Sequence, residues 1–309
     1  MIDPIALFFV FGLLAGLLAI DVGLPPSINE LLTFLLLFTI GLKGGIELEG
    51  ISLMSILPKA LAVGALGVVI PIVAYPLIKR VGKLSRADAA AMAAHYGSVS
   101  VGTFAVCIAF LQRHEVSFEP YVITFVVVLE IPAILVGLFI ARGRSSSMSV
   151  GHVLLEVFKS KAIYLLVGGL IIGRLAGHAR LEPFMPLFFE LFSGVLALFL
   201  VEMGLIVSRQ MSLVRHHGFF LIGFGVLMPL AGGMTAMGLG FLLDLSLGGT
   251  VVLTVLGASA SYIAVPAAMR VSLPEANLGL SLGSSLGVTF PFNVVAGIPL
   301  FYAIASYFA

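Results

Sequence analysis

Long runs of apolar residues alternate along the whole chain with short breaks that contain charged, proline or glycine residues. A helix needs about 20 mostly apolar residues to cross the hydrocarbon layer of a bilayer. Ten runs approach or exceed that length, so the pattern predicts an all-α polytopic membrane protein with ten transmembrane helices. Their approximate bounds are 4–20, 30–48, 57–78, 88–112, 120–141, 160–177, 187–208, 217–243, 249–270 and 277–307.

The composition supports a membrane protein and excludes several other classes. Hydrophobic residues make up 60% of the chain and charged residues only 10%, whereas a soluble domain carries about a quarter charged residues. The net charge of +1 gives no basis for nucleic-acid binding, and the single cysteine, Cys107, allows no disulfide within the chain. No basic segment precedes the first apolar run, so we expect a span there rather than a cleaved signal.

Lysine and arginine are distributed unevenly between the two sides of the predicted bundle. Eleven of the 16 fall on one side and five on the other. The positive-inside rule places the richer side in the cytoplasm, so both termini are expected outside the cell's inner (plasma) membrane. The richer side holds Lys79, Arg80, Lys83, Arg86, Arg142, Arg144, Lys159, Lys161, Arg209, Arg215 and Arg270.

Short motifs of the first five spans recur in the last five at nearly constant spacing. The Gly-Leu pair at 41–42 recurs at 204–205, and "GSVS" at 97–100 is matched by "GASAS" at 257–261. A repeat with an odd number of spans must be inserted upside down relative to its partner, an arrangement typical of secondary transporters.

The recurring motifs divide the chain into two inverted five-helix repeats. The first covers residues 1–142, with its N-terminus outside, and the second covers residues 160–309. A polar cytoplasmic linker at 143–159 is expected to join them. We expect a core (transport) domain and a gate or scaffold domain, each drawn from both repeats.

The fourth and ninth spans place glycine, serine and threonine where a membrane helix usually has bulky apolar residues. These residues weaken helices, and backbone exposed to lipid costs several kcal/mol per unsatisfied group. We therefore predict that helices 4 and 9 are broken and meet inside the protein. The alternative is that these are ordinary small-residue packing faces.

A pair of broken helices offers binding groups of both polarities. Helix N-termini favour an anion and free carbonyl ends favour a cation, while hydroxyl groups can serve either. The sequence therefore favours a small anion moved together with a small cation. The candidate substrate-binding residues are Gly97, Ser98, Ser100, Gly102, Thr103, Gly257, Ser259, Ser261 and Tyr262.

Ionisable and amide residues inside the spans are candidates for cation binding or coupling, because a carboxylate in the bilayer needs a partner. Glu130, next to Pro132, is either a sodium or proton site or a protonated carboxyl bonded to backbone near the proline. The other candidates are Thr39, Glu202 and Asn293, and a Na⁺ site is placed near Ser98, Ser259 and Glu130.

Each of the remaining polar residues allows a structural interpretation as well. Lys43 is expected to pair with Glu130 or Glu202; an unpaired Glu202 would instead be a cation ligand. Asn293 either binds a cation or satisfies a carbonyl freed by Pro291. His95 is either a gate, pH sensor or anion donor, or it simply forms a hydrogen bond inside the bundle.

Six segments, in this order, resemble the sodium-dependent bicarbonate transporters of cyanobacterial type over essentially the full chain. They are "IGLKGG" (40–45), "GSVSVGT" (97–103), "EIPA" (130–133), "GGTVVLTVLGASAS" (248–261), "LPEAN" (273–277) and "GSSLGVTFPF…GIPLF" (283–301). The resemblance implies uptake of bicarbonate driven by inward sodium flow, with sodium as the coupling ion and no other cofactor. It also implies a core domain that moves against a gate, assembly as a homotrimer among membrane lipids, and a PII-like cytoplasmic regulator.

The chain departs from this family pattern at several positions. Tyr262 takes the place of an aspartate after the serine-rich stretch of span 9, and Glu130 replaces an aspartate before Ile-Pro. In span 2, Thr39 precedes Gly41 and Lys43 follows it, where the family has the lysine first. These departures leave the substrate and the cation ligands open.

Three rival functions differ from sodium-coupled symport. A proton-coupled or organic-anion carrier would follow pH and ignore sodium. A channel fits two broken helices at an inverted interface less well than alternating access does. An intramembrane enzyme has no support, because the sequence contains no HExxH and no paired aspartates at protease spacing.

Overall fold

The computed structural model describes residues 4–20, 22–142, 151, 155, 159–216 and 218–309. These residues are mostly helical and contain no strand. The predicted linker at 143–159, with Arg144, lies largely outside the described residues.

The first half of the chain contains six helices among its described residues. They are α1 (Pro4–Leu17), α2 (Pro26–Glu47), α3 (Leu53–Arg80), α4 (Arg86–Gly97), α5 (Val101–Arg113) and α6 (Thr124–Arg142). The second half contains another six in its described part. They are α7 (Lys161–Leu181), α8 (Phe192–His216), α9 (Gly218–Leu242), α10 (Leu247–Gly257), α11 (Ala264–Ser272) and α12 (Leu278–Phe308), the last with two π-helical turns at Ser285–Thr289 and Asn293–Gly297.

Eight helical stretches in the described residues are long and apolar enough to cross a membrane. One of them, Arg86–Arg113, combines α4 and α5. The first and ninth predicted spans correspond to shorter apolar helices, Pro4–Leu17 and Leu247–Gly257. The protein is therefore an all-helical multi-pass membrane protein, and the count of ten spans stays a prediction.

Serine side chains fix where several helices begin. The hydroxyls of Ser85, Ser100, Ser160 and Ser246 each accept a hydrogen bond from the backbone N–H three residues further on. The first N–H groups of a helix have no partner within the helix, and such caps satisfy one of them. The sequence thereby sets the starts of α4, α5, α7 and α10.

The helices pack into two groups. The frame group consists of α1, α2, α7 and α8, in which α2 lies along α7 and α1 lies along α8. The core group consists of α3 to α6 and α9 to α12, in which α3 contacts α4 and α6, and α9 contacts α10.

Glycines allow the closest contacts in the frame group. A methyl group on Gly41 would overlap the Leu166 carbonyl of α7, and one on Gly204 would overlap the Phe9 carbonyl of α1. Small residues at helix crossings let the backbones approach closely. Membrane helices depend on such packing because the hydrophobic effect does not drive their association within lipid.

The broken helices occupy the centre of the core group. The apolar window of Arg86–Arg113 is buried along its whole length, and every residue from Gly248 to Gly257 is buried. Non-helical backbone at membrane depth is tolerated when protein surrounds it.

Candidate functional site

Two non-helical stretches interrupt the central helices. Ser98–Ser100, the first break, separates α4 from α5, and residues 258–263, the second break, separate α10 from α11. Both lie where the sequence predicts broken helices.

The second break hydrogen-bonds to the first break and to the end of α4. The Ser100 N–H donates to Ser259 Oγ over 2.9 Å, and the Ser261 N–H donates to the His95 carbonyl oxygen over 2.8 Å. The second break thus accepts a hydrogen bond from a buried amide of the first, and the end of α4 accepts one from a buried amide of the second. Both amides would be costly to bury without a partner.

The first break also caps its own downstream helix. Ser100 Oγ accepts from the Thr103 N–H at 3.0 Å and from Thr103 Oγ1 at 2.8 Å. The N–H groups of Val101 and Gly102 lie in the first turn of α5, where a helix offers no internal acceptor. The Tyr262 hydroxyl lies against Gly102, and an added methyl at 102 would overlap it.

A recess of about 190 Å³, including its open mouth, lies beside the junction of the breaks. Glu130 lines it together with Ser100, Ser261 and Tyr262, and Ala162 contributes from the frame group. Glu130 is only 3% exposed. Its carboxyl group forms no hydrogen bond or ion pair with any residue that the structure describes, and the recess gives a partner access to it.

Ser98 and Asn293 border the same junction with unused polar atoms. Ser98 Oγ and Asn293 Oδ1 are buried without a hydrogen-bond partner among the described residues. The Asn293 Nδ2 donates to the Ala258 carbonyl over 2.8 Å. The amide therefore satisfies a carbonyl at the end of α10, while its oxygen stays available.

His95 contacts the second break through its backbone carbonyl rather than through its imidazole ring. The ring Nδ1 lies 2.7 Å from the Ala91 carbonyl of its own helix, and Nε2 has no partner among the described residues. The His95 carbonyl holds the second break. The structural interpretation of this histidine accounts for the observed contacts.

Two predicted substrate-binding glycines lie at helix crossings instead. The side-chain position of Gly97 faces Pro71 of α3, with Ala133 of α6 close by. Gly257 faces Gly232 and Ala236 of α9. Both glycines keep a neighbouring helix close to a broken one, and neither lines the recess.

Two predicted cation-binding residues lie away from the recess. Thr39 lines a separate cavity with Lys43. Glu202 Oε2 accepts a hydrogen bond from the Leu24 N–H over 3.0 Å. In the described part of the chain no ion pair within 4.0 Å joins Lys43 to Glu130 or Glu202, so the expected pair does not form with either of them. Lys43 instead interacts electrostatically with Glu47, one turn further along α2.

The sequence did not point to a second buried polar cluster behind the breaks. The Tyr96 hydroxyl lies 2.6 Å from Ser284 Oγ and 2.7 Å from Thr289 Oγ1. Thr289 Oγ1 in turn donates to the Gly225 carbonyl over 2.7 Å. The Ser and Thr residues of "GSSLGVT" (283–289) were the available signal, and they tie α4 to α9 and α12.

An all-helical bundle whose two broken central helices share a buried polar junction is typical of membrane transport proteins. The model of the Na⁺-dependent bicarbonate transporter superfamily matches residues 4–306, so the chain belongs to that family. The predicted family membership is confirmed, and it implies a transporter rather than an enzyme. No curated protein sequence matches the chain.

Proposed function

We propose that this protein is a secondary active transporter that carries bicarbonate, or a similar small anion, together with Na⁺ by alternating access. The family gives the class of cargo. The observation that supports the mechanism is the junction of the two breaks, where N–H groups, hydroxyls and the unpaired Glu130 converge in a protein-enclosed space.

The anion binds at the first turn of α5. Val101 and Gly102 supply N–H groups there, and the helix dipole favours negative charge at that end. The Tyr262 hydroxyl lies at the same point and can donate to an anion oxygen. At α11 the equivalent turn offers less, because Pro266 has no N–H and Val265 donates to Ser261 Oγ over 3.3 Å.

The cation binds next to the anion, at Glu130. A carboxylate within the bilayer costs roughly 2.5–3.5 kcal/mol unless it is paired, and Na⁺ would supply the missing charge. Ser98, Ser100, Ser259 and Ser261 offer oxygen atoms around the same junction. Thr39 and Glu202 remain candidates only for roles outside this recess.

The packing supports the proposed inverted repeat. If residues 1–142 correspond to 160–309, α1 and α2 correspond to α7 and α8. The contact of α2 with α7 then corresponds to that of α8 with α1, and α3 on α4 corresponds to α9 on α10. Gly97 against α3 and Gly257 against α9 obey the same relation.

An elevator-like movement is the form of alternating access that we propose. The recess lies at the boundary between the groups, because Ala162 belongs to the frame group and its other lining residues belong to the core group. Displacing the core group along the frame group would carry the junction of the breaks with it and expose the recess to one side at a time.

Several further properties remain proposals on the sequence or the resemblance alone. They are insertion in the inner (plasma) membrane with both termini outside, assembly as a homotrimer, and binding of a PII-like protein at the 143–159 linker.

The test is uptake of labelled bicarbonate into proteoliposomes with and without an inward Na⁺ gradient. We expect accumulation that requires Na⁺ and saturates with bicarbonate. Equal uptake in its absence would overturn sodium coupling, and uptake that follows a pH gradient instead would favour the proton-coupled carrier. Flux that does not saturate would favour a channel.

A further inference from the structure

A second cavity, larger than the recess at the breaks, lies between the frame and core groups. It encloses about 520 Å³ including its mouth, and it lies between the C-terminal half of α2, the helix α5 and the N-terminal end of α8. Its lining residues are Thr39, Ile40, Lys43, Phe104, Ile108, Gln112, Phe118, Ile123, Phe189, Phe192 and Ser193.

The cavity is polar at one end and apolar at the other. Ile40, Phe104 and Ile108, which line its inner end, are each at most 4% exposed. The polar side chains of Gln112 and Ser193 are exposed, and Lys43 is half-buried. A ligand that fits this gradient places an apolar body inward and a polar group outward.

Lys43 is the cationic group that lines this cavity. It forms no ion pair or hydrogen bond with any residue in the described part of the chain, and the nearest acidic neighbour on its own helix is Glu47, one turn further on. Glu47 interacts with Lys43 electrostatically but forms no ion pair with it. A carboxylate at the mouth would give the half-buried ammonium the direct partner that no described residue supplies.

We propose that this cavity binds an amphipathic monocarboxylate, whose apolar body packs among the phenylalanines and whose carboxylate pairs with Lys43. Small-molecule sites are mostly apolar with a few fixed polar groups, and the lining of this cavity follows that pattern. A bare inorganic anion does not match it, because four phenylalanines line the space that it would occupy.

A ligand in this cavity would contact α2 and α8 of the frame group and α5 of the core group at once. It would therefore hold the two groups together and slow any exchange that requires them to slide. This consequence depends on the proposed transport function, whereas binding itself does not.

The binding test uses 4-phenylbutyrate with the purified protein, measured by calorimetry. We expect saturable binding that Lys43→Gln weakens at least tenfold, while Lys161→Gln, the loss of an exposed lysine paired with Glu30, leaves it unchanged. The neutral 4-phenylbutanol and the ring-free butyrate should each bind at least tenfold more weakly. Unchanged affinity in Lys43→Gln, or equal binding of the alcohol, would overturn the proposal.

A second variant tests the same site in case the Lys43→Gln protein does not fold. Ser193→Trp fills the mouth from an exposed position and should also abolish binding; retained binding would contradict the site. The same binding measurement with decanoate tests whether an acyl chain can take the place of the phenyl ring, and therefore whether lipid-derived acids bind at this site. In proteoliposomes, 4-phenylbutyrate should slow uptake in a way that higher bicarbonate does not relieve; relief by bicarbonate would place it at the breaks instead.

Discussion

The two breaks differ in length and in what holds them. The first is three residues long, and Ser100 caps the helix that follows it. The second is six residues long, and Ile263, the residue before α11, provides no side-chain cap for that helix. Its ends are held by other elements, namely Asn293 at Ala258 and the His95 carbonyl at Ser261.

Under the proposed function, this difference suits the two breaks to separate tasks. The first break presents backbone N–H groups in a fixed helical turn, which suits an anion. The second break presents the side chains of Ser259, Ser261 and Tyr262 from a longer and externally supported stretch. The similar motifs of the two breaks thus do not give the two breaks the same chemistry.

The largest expected effect comes from placing a methyl group in the first turn of α5, where it faces Tyr262 of the second break. Gly102→Ala overlaps the Tyr262 hydroxyl and brings Cβ within 3.1 Å of the Phe199 ring. We expect bicarbonate uptake to fall at least about tenfold, equivalent to about 1.4 kcal/mol of lost binding. Gly168→Ala, where nothing lies within 4 Å, is the matched control.

Removing the tyrosine hydroxyl sharpens this prediction. The double variant Gly102→Ala/Tyr262→Phe relieves the overlap and should recover part of the lost uptake relative to Gly102→Ala. If the double variant is no better than the single one, the clash with Tyr262 is not the cause.

The next effect separates the cation site from the anion site. Glu130→Gln should raise the Na⁺ concentration for half-maximal uptake by about tenfold, because one charge pair of about 1.4 kcal/mol is lost. Glu202→Gln keeps an oxygen for the Leu24 N–H and should leave the sodium dependence unchanged. An unaltered sodium dependence in Glu130→Gln would make Glu130 structural.

The next prediction concerns stability rather than transport. Ser259→Ala leaves the buried Ser100 N–H without its acceptor, which costs about 1–3 kcal/mol of the free energy of unfolding. Ser98→Ala removes a hydroxyl with no partner among the described residues, so thermal stability should hold while uptake falls. Equal melting temperatures for Ser259→Ala and the wild type would contradict a stabilising role for the hydrogen bond between the Ser100 N–H and Ser259 Oγ.

The smallest effect tests the external support of the second break. Asn293→Ala removes the donor to the Ala258 carbonyl, at a cost of about 1 kcal/mol in the free energy of unfolding. Asn293→Asp keeps the oxygen but loses the same donor, so both should melt earlier than the wild type. A loss of sodium dependence in Asn293→Ala alone would indicate that Oδ1 also binds the cation.

The sequence predicted the helices and the breaks because both depend on local properties. Apolar runs set the spans, serine residues set several helix starts, and clusters of small polar residues mark where helix propensity fails. The family was recognisable from motifs such as "GSVSVGT" and "GASAS", and the family model confirms it.

The partners of individual side chains could not be predicted in the same way. The Glu202 carboxylate accepts a hydrogen bond from the backbone N–H of Leu24, 178 residues away in the chain. No sequence motif predicts that contact. Gly97 and Gly257 share a motif with the serines beside them, yet they face α3 and α9. Periodicity and repeat register identify the helix, whereas the neighbour across each helix face depends on the packing of the whole bundle.

The hydrogen bonds that the second break forms with Ser100 and His95 have a consequence for biogenesis. While the first half alone has emerged from the ribosome, the Ser100 N–H and the His95 carbonyl lack their acceptor and donor. Both become satisfied only when residues 259–261 arrive, some 160 positions later. The membrane intermediate that precedes their synthesis therefore contains backbone groups without hydrogen-bond partners. If the two halves are expressed as separate chains in one cell, each should fold stably only after the two associate.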